Sequence, residues 1–383
     1  MIVLQNFLEQ KPLYYDEIDY TRMPRIYERI KHALSSPKII HLIGTNGKGT
    51  TGRFLASALF ALGFRVGHYS SPHILKFNER IWINGEEASD EMLEKAHQEL
   101  LALLTEDEAN ALSYFEYTTL LAICVYKDME YVVLEAGLGG EHDATAVFEN
   151  ILTLITPIAK DHEAFLGETL KEITTTKVNA VQKVAILGHQ PNSIVETVAR
   201  EIVTTKNSVF HKMQELLNDE DTQNIRTIQK ELFLEEYLVD NLSLAIATLK
   251  YLQIPYTSDS FKNARLFGRL SKLGENIIVD VGHNVLAARA IKNALAGNKY
   301  SLIYNSYKDK NYREIIEILK PIVQDIQIIK VDDKRIEKQD ILEETLSQLG
   351  VKYQNFNGIE DTEQYLVFGS FSVLEAFLKA YNE

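Results

Sequence analysis

The sequence predicts the α/β class: a larger domain on a mostly parallel sheet with a small antiparallel appendage, followed by a second, smaller α/β domain. Three observations carry that expectation. The 383 residues exceed one ordinary core, and 45% of them are hydrophobic, enough to pack two domains. Short β-branched runs such as Ile39 to Ile43 alternate with helical patterns through the first part of the chain, as strand–crossover–strand units do. The same alternation starts afresh after Ile254 to Ser260, a stretch with one proline and two serines, which places the domains at 1–257 and 258–383.

In chain order, residues from about Asn6 to Leu34 read as amphipathic helix around a loop, Lys11 to Met23, that holds Tyr14, Tyr15 and Tyr20. That loop either touches a ring-shaped ligand or packs over a domain edge. Ile39 to Ile43 suits a buried parallel strand and empties into Gly44-Thr45-Asn46-Gly47-Lys48-Gly49-Thr50-Thr51, ahead of a helical pattern. Strand, glycine loop and helix in that order make a phosphate cradle. Glycines let the backbone wrap an anion, the helix start offers unpaired N–H groups, and Lys48 adds a charge. Thr50 and Thr51 supply the hydroxyl that such a loop places on Mg²⁺, although Gly49 interrupts the usual GxxxxGK[ST] spacing.

A second strand, Arg65 to Tyr69, leads into SSPHILKFNERIWINGE, a Ser/Pro turn and then an alternating piece around Trp82. This is a candidate substrate-facing loop. Ser89 caps a helix to Leu104, DEAN reads as a solvated connection, and Phe115 to Lys127 is a further helix. Tyr131 to Leu134 ends on Glu135, before AGLGG and Asp143-Ala144-Thr145; Ile151 to Thr156 ends in PIAKDHEAFLG, which carries His162. Glu135 and His162 thus share the carboxyl edge of a parallel sheet with the Mg²⁺-binding hydroxyl, a credible metal pair. Lys177, in a threonine-rich helix, reads from spacing alone as a solvated surface lysine.

From Val184 the pattern is a strand, short alternating pieces over 208–233 that suggest the antiparallel appendage, and a helix from Tyr237 through Leu252. The second domain should alternate strands at 276–281, 301–304, 326–331 and 365–368 with helices at 286–296, 312–319, 341–349 and 373–380, a Rossmann-like parallel sheet. Its first strand ends in Asp280-Val281-Gly282-His283-Asn284, suited to a ribose or base. Its last ends in Gly369-Ser370-Phe371 at a helix start, a second small anion site.

A net charge of −14 argues against a general nucleic-acid surface, so the anion should be small and enclosed. Cys124 lies in an apolar pattern and reads as core. The start lacks a basic segment ahead of a long apolar one, and nothing approaches the ~18 apolar residues of a membrane span, so the expected location is the cytoplasm.

Taken together, GTNGKGTT, YSSPHILKFNERI, YFEYTTL, VLEAGLGG with DAT, ITPIAKDH, FGRL, VDVGHN and VFGSF resemble, in order, the folylpolyglutamate synthase and dihydrofolate synthase family of the Mur ligase superfamily. The resemblance implies a monomeric ATP-dependent ligase that joins L-glutamate to a carboxylate of dihydropteroate or of a folate, with ATP, two Mg²⁺ sites and room for a monovalent cation. It assigns Gly44 to Thr51 to the triphosphate, Thr50 and Glu135 to the first Mg²⁺, and His162 to the second. Lys177 matches a lysine that is often carbamylated, although Thr176 and Val178-Asn179 depart from the family's EKAGI pattern. Arg269 would reach the γ-phosphate, Asp280 and His283 the nucleoside, and Asn241 the adenine. Phe115 and Asp143 match positions used against the pterin ring, with Ser71, Pro72 and His73 on the adjoining substrate loop, and Ser370 joins the substrate-binding set. Glu141, His142 and Ala146 replace the family's Arg, Leu and Asn beside that pocket.

The same resemblance implies a hinge at 255–260. The 43 residues before Gly44 leave no room for the N-terminal domain of ligases that act on UDP-linked precursors, and a nucleotide-dependent switch should carry an NKxD motif, which is missing.

Overall fold

The computed structural model describes residues 3–11 and 19–382, arranged as two compact units. The first comprises residues up to Leu234 and Leu238–Arg265; the second comprises Glu235–Tyr237 and Leu266 onward.

The first unit holds strands β1 (Lys38–Ile43), β2 (Val66–Tyr69), β3 (Ile81–Ile83), β4 (Glu86–Glu87), β5 (Tyr131–Glu135), β6 (Leu152–Ile155), β7 (Val184–Leu187) and β8 (Val209–Lys212). They form one sheet in the order β4-β3-β2-β5-β1-β6-β7-β8. From β2 to β8 all pairings are parallel, and only the β2–β3 and β3–β4 pairings at one edge are antiparallel. The α/β class and its small antiparallel piece are therefore as expected, but that piece sits at residues 81–87. Residues 208–233 contain instead a parallel edge strand and a helix, Asp219–Glu231, capped by Asn218. Short polar stretches blurred the period there: the helix buries only Asp221, Ile225 and Ile228. DEAN likewise belongs to a short helix, Glu106–Ala111, whose Thr105–Glu108 capping box satisfies its first N–H groups.

β1, β5 and β6 are almost wholly buried, which explains their β-branched runs. Helix Lys48–Ala61, which follows β1, is buried on nearly every side, from Gly49 to Leu59, and so shows no polar stripe in sequence. Helix Glu236–Tyr251 is enclosed to the same degree. One cluster of side chains gathers Tyr69, Tyr117, Leu120, Val132 and Leu134 with the N-terminal helices Leu4–Glu9 and Arg22–Ile30. Another gathers Ile43, Ile155, Ile173 and Val195. Cys124 belongs to the first cluster, and burial pushes its thiol up to about 12, the inert core residue the sequence suggests.

The second unit carries β9 (Ser271–Lys272), β10 (Ile277–Val279), β11 (Tyr300–Tyr304), β12 (Val323–Ile328), β13 (Tyr353–Asn355) and β14 (Tyr365–Phe368), in the order β13-β12-β11-β14-β10-β9. All neighbours are parallel except β9 with β10. The four expected strands and four expected helices are present; β9 and β13, two and three residues long, are too short to show a period. Among the described residues no helix is long and apolar enough to cross a membrane.

Candidate active site

The phosphate loop is held open by its neighbours. Thr45 N and Asn46 N both donate to Pro157 O, at 2.8 and 3.2 Å, while Thr45 Oγ1 and the Ala159 backbone hydrogen-bond each other. The loop thus borrows its shape from the segment after β6, the same segment that carries His162. Gly47 precedes helix Lys48–Ala61 with φ +86°, and a Cβ there would lie 2.2 Å from Asn241 Oδ1, so only glycine serves. Asn241 in turn accepts from Thr51 Oγ1 at 3.1 Å. Gly49 and Thr50 lie in the first helical turn, both buried.

Three charged groups meet at the mouth of the loop. Lys48 Nζ donates to Gly44 O at 3.2 Å and lies 3.7 Å from Glu135 Oε1, at the carboxyl end of β5. Lys177 Nζ donates to the same Gly44 O at 3.0 Å. The surface reading of Lys177 is overturned: it is 5% exposed, because Gly140 packs directly on its backbone, where a Cβ would approach Lys177 O to 2.3 Å. Burial, and then the charge of Lys48, bring its ammonium down to about 7, partly opposed by Asp161 and Asp143. Sequence spacing carries no trace of this, since the glycines that bury Lys177 lie 37 residues upstream at Gly140.

Asp143 is buried and organises the glycine loop after β5. Its Oδ2 accepts from Gly137 N and Leu138 N, both at 2.9 Å, and its Oδ1 from Thr145 N at 2.9 Å and Thr145 Oγ1 at 2.5 Å. Thr145 Oγ1, having given its proton to Asp143, accepts from His41 Nε2 at 2.8 Å, and burial lowers His41 to about 4, so the ring stays neutral. His41 escaped the sequence reading because it sits inside β1 among isoleucines, outside any motif.

His162 adopts φ +54°, with its backbone N–H on Asp161 Oδ1 at 2.9 Å and Nε2 3.9 Å from the same oxygen. Asp161, whose side chain is nearly buried and which acts electrostatically on Lys177, is a further residue of this edge, next to His162 in the ITPIAKDH motif but given no role there.

On the other flank, Ser71 N donates to Glu135 Oε2 at 3.3 Å, tying the substrate-loop candidate to the sheet edge. Ser71 and Pro72 lead to His73, whose Nδ1 accepts from Arg80 Nε at 2.8 Å. Glu79 locks the loop by accepting from the backbone of Ile74, Leu75 and Lys76. Phe115 stands over Gly137, where a Cβ would come within 2.6 Å of Cζ, and its ring lies 5.8 Å from that of Tyr69. Tyr14 and Tyr15 fall outside the described residues. Tyr20 packs on His142 at 4.5 Å between ring centres, and Glu141 accepts from Asn179 Nδ2 at 2.8 Å, so two of the departing residues have partners within the chain.

Within the second unit, Asp280 is buried and accepts from Leu270 N (2.9 Å), Gly282 N (2.8 Å) and Tyr237 Oη (3.2 Å); burial raises its carboxyl and the Arg269 charge opposes that. Arg269 stacks over Phe371 at 5.4 Å and donates to Gly268 O, while His283 Nδ1 lies 3.2 Å from Val281 O. Ser370 Oγ accepts from Val373 N, fixing the start of helix Phe371–Asn382.

A phosphate loop on a mostly parallel sheet, with a carboxylate and two lysines converging on its mouth, defines a nucleotide-dependent enzyme of the α/β class. No family model matches the chain. It is 30% identical over 328 residues to the dihydrofolate synthase/folylpolyglutamate synthase of Escherichia coli, covering 81% of this chain and 76% of that protein. The crystal structure of Helicobacter pylori folylpolyglutamate synthetase matches with a TM-score of 0.80 at 37% identity, over 99% of this chain and 98% of that one. A bifunctional folylpolyglutamate synthase/dihydrofolate synthase solved with Mn, AMPPNP and L-glutamate bound matches with a TM-score of 0.80 at 26% identity, over 98% of this chain and 96% of that one. The chain belongs to the dihydrofolate synthase/folylpolyglutamate synthase family. The motif order had implied that family and an ATP-dependent ligase, and both expectations are borne out.

Proposed function

We propose that this protein uses ATP to join L-glutamate both to dihydropteroate and to the glutamyl tail of a reduced folate. The observation that carries the reading is the convergence of Lys48, Lys177 and Glu135 on the mouth of the phosphate loop. In the proposed sequence the acceptor carboxylate attacks the γ-phosphorus; an oxygen–phosphorus bond forms, the β–γ bridge breaks and ADP leaves. The amine of glutamate then adds to the acyl carbon, and the tetrahedral intermediate expels phosphate. Both steps gather negative charge, so the chain's contribution is positioning and electrostatic stabilisation. Lys48 offers its charge to the transferring phosphoryl group, and the N–H groups of helix Lys48–Ala61 face the phosphates.

The donor set suits Mg²⁺, because the Thr50 hydroxyl and the Glu135 carboxylate are hard oxygens. An ion held there would take its remaining ligands from phosphate oxygens and water. Thr50 and Glu135 would hold one ion, and His162 with a carbamylated Lys177 a second. Such ions neutralise phosphate charge. Arg269, Asp280, His283 and Asn241 are assigned to the nucleotide, and Ser71, Pro72, His73, Phe115, Asp143 and Ser370 to substrate. We place the enzyme in the cytoplasm as a monomer.

The test is product analysis. Purified protein with MgATP and glutamate should release phosphate only when dihydropteroate or tetrahydropteroyl-monoglutamate is also present, and mass spectrometry should find each acceptor one glutamate heavier. Phosphate release without an acceptor would sink the ligase reading, and growth of one acceptor alone would remove bifunctionality.

A further inference from the structure

Arg80 lies at the end of the loop that begins at Ser71, and it is 7% exposed. Its Nε donates to His73 Nδ1, and its guanidinium carbon sits 5.4 Å from the centre of the Tyr114 ring. Among the described residues no carboxylate pairs with it, and its two terminal nitrogens have no acceptor. A guanidinium held in the interior without an anion is a group that a bound anion would stabilise. Two N–H-bearing nitrogens side by side are the geometric complement of a carboxylate.

The surroundings describe the rest of the ligand. Phe77 lies 6.4 Å from Tyr114 and 6.3 Å from His73, ring centre to ring centre, and Tyr69 and Phe115 carry the aromatic wall on to Gly137. The wall abuts the reacting edge: Ser70 N donates to Arg80 O at 2.9 Å, and the next residue, Ser71, reaches Glu135. His73 holds the fork. Burial and the Arg80 charge bring its ring down to about 4, so Nδ1 stays an acceptor at neutral pH.

We propose that Arg80 receives the carboxylate of a glutamyl tail that does not react, and thereby selects glutamylated acceptors over dihydropteroate. This rests on the ligase reading above. The carboxylate that attacks phosphorus must keep a lone pair free and belongs beside Lys48 and Glu135; clamped in a fork it would be a poor nucleophile. Dihydropteroate has a single carboxylate, which must be that one. An acceptor that already carries a glutamate has two, and its second is the anion that Arg80 lacks.

The experiment compares the unaltered enzyme with Arg80→Gln, Arg80→Lys and His73→Gln on dihydropteroate and on tetrahydropteroyl-monoglutamate, at saturating MgATP and glutamate. Arg80→Gln should lose about 10- to 100-fold in kcat/KM on the glutamylated acceptor, the worth of a charge-assisted pair, and less than about threefold on dihydropteroate. His73→Gln should shift the same ratio more weakly. Should Arg80→Gln fail to fold, as judged by thermal melting, Arg80→Lys keeps the charge without the fork and should show an intermediate, still selective loss. Equal losses on both acceptors, or none on either, overturn the proposal. If the unaltered enzyme turns over neither acceptor, the ligase reading has failed. Calorimetry with tetrahydropteroyl-monoglutamate then decides Arg80 by itself, and unchanged affinity in Arg80→Lys overturns it.

Discussion

Lys48 and Lys177 donate to one acceptor, the carbonyl oxygen of Gly44, at 3.2 and 3.0 Å. Two cations on one carbonyl repel, and the buried partner yields: Lys177 is brought to about 7 while Glu135 stands by Lys48. Without modification, this corner of the fold is strained electrostatically.

That strain has a pH signature. The folded-state value of Lys177 lies below its ordinary 10.5, so between about 7 and 10.5 the unfolded chain binds a proton that the folded chain does not. Stability from this group therefore rises with pH across that window and is lowest below it. In carbon-dioxide-free buffer, urea unfolding of Lys177→Met should be less pH-dependent between pH ~7 and ~10 than that of the unaltered chain, and more stable at pH ~6.5. An identical slope in both proteins would contradict the shift.

A buried amine that is partly neutral near pH 7 is ready to add carbon dioxide and become an anion, which would relieve the repulsion from Lys48. With ¹³C-labelled bicarbonate, the native protein should show a carbamate resonance that Lys177→Ala lacks. Lys177→Ala should also lose at least the roughly 10- to 100-fold in kcat seen when even a metal's supporting shell is disturbed, with partial recovery in a short carboxylic acid.

Asp143 accepts three backbone N–H groups and one hydroxyl around the glycine loop. Asp143→Ala leaves those donors buried and unpaired, at a cost of about 3 kcal/mol or more. A drop in Tm should accompany a loss of turnover, because the loop begins at Glu135. Wild-type Tm would rule out the bracket.

Gly47→Ala meets both a left-handed backbone and Asn241 Oδ1. It should raise the KM for ATP by about tenfold or more, since a shifted amide no longer faces phosphate. Adding Asn241→Ala relieves the contact but not the backbone strain, so recovery should be partial. Full recovery would mean that the φ constraint is unimportant.

Arg269, stacked on Phe371, is assigned to the γ-phosphate. Arg269→Ala should lower kcat by about 100-fold or more with a smaller change in ATP affinity, as expected for a charge that acts on the transition state. Unchanged turnover would remove the role.

Much of the site is legible in the sequence. The β-branched run before Gly44, the glycine spacing and the carboxylate ending β5 each follow from local chemistry, which a chain displays in order. The errors fell where local pattern is weak. Over residues 208–233 the helical period is faint because the helix there buries few side chains. DEAN shows no helical signal because a one-and-a-half-turn helix has no period, and spacing alone gives Lys177 a surface character because its neighbours in sequence are threonines; only the motif resemblance draws it to the site.

The sequence by itself determined the class, the family and the identity of the phosphate loop, because these depend on residues contiguous in the chain. Only the tertiary structure decided which charges share an environment. Gly140 packing on Lys177, Gly44 O accepting from two lysines, and Arg80 held against His73 and Tyr114 without an anion are all set by long-range packing. Burial is what shifts a pKa or leaves a guanidinium needing a counter-ion, and burial is a property of the folded neighbourhood that no single stretch of sequence contains.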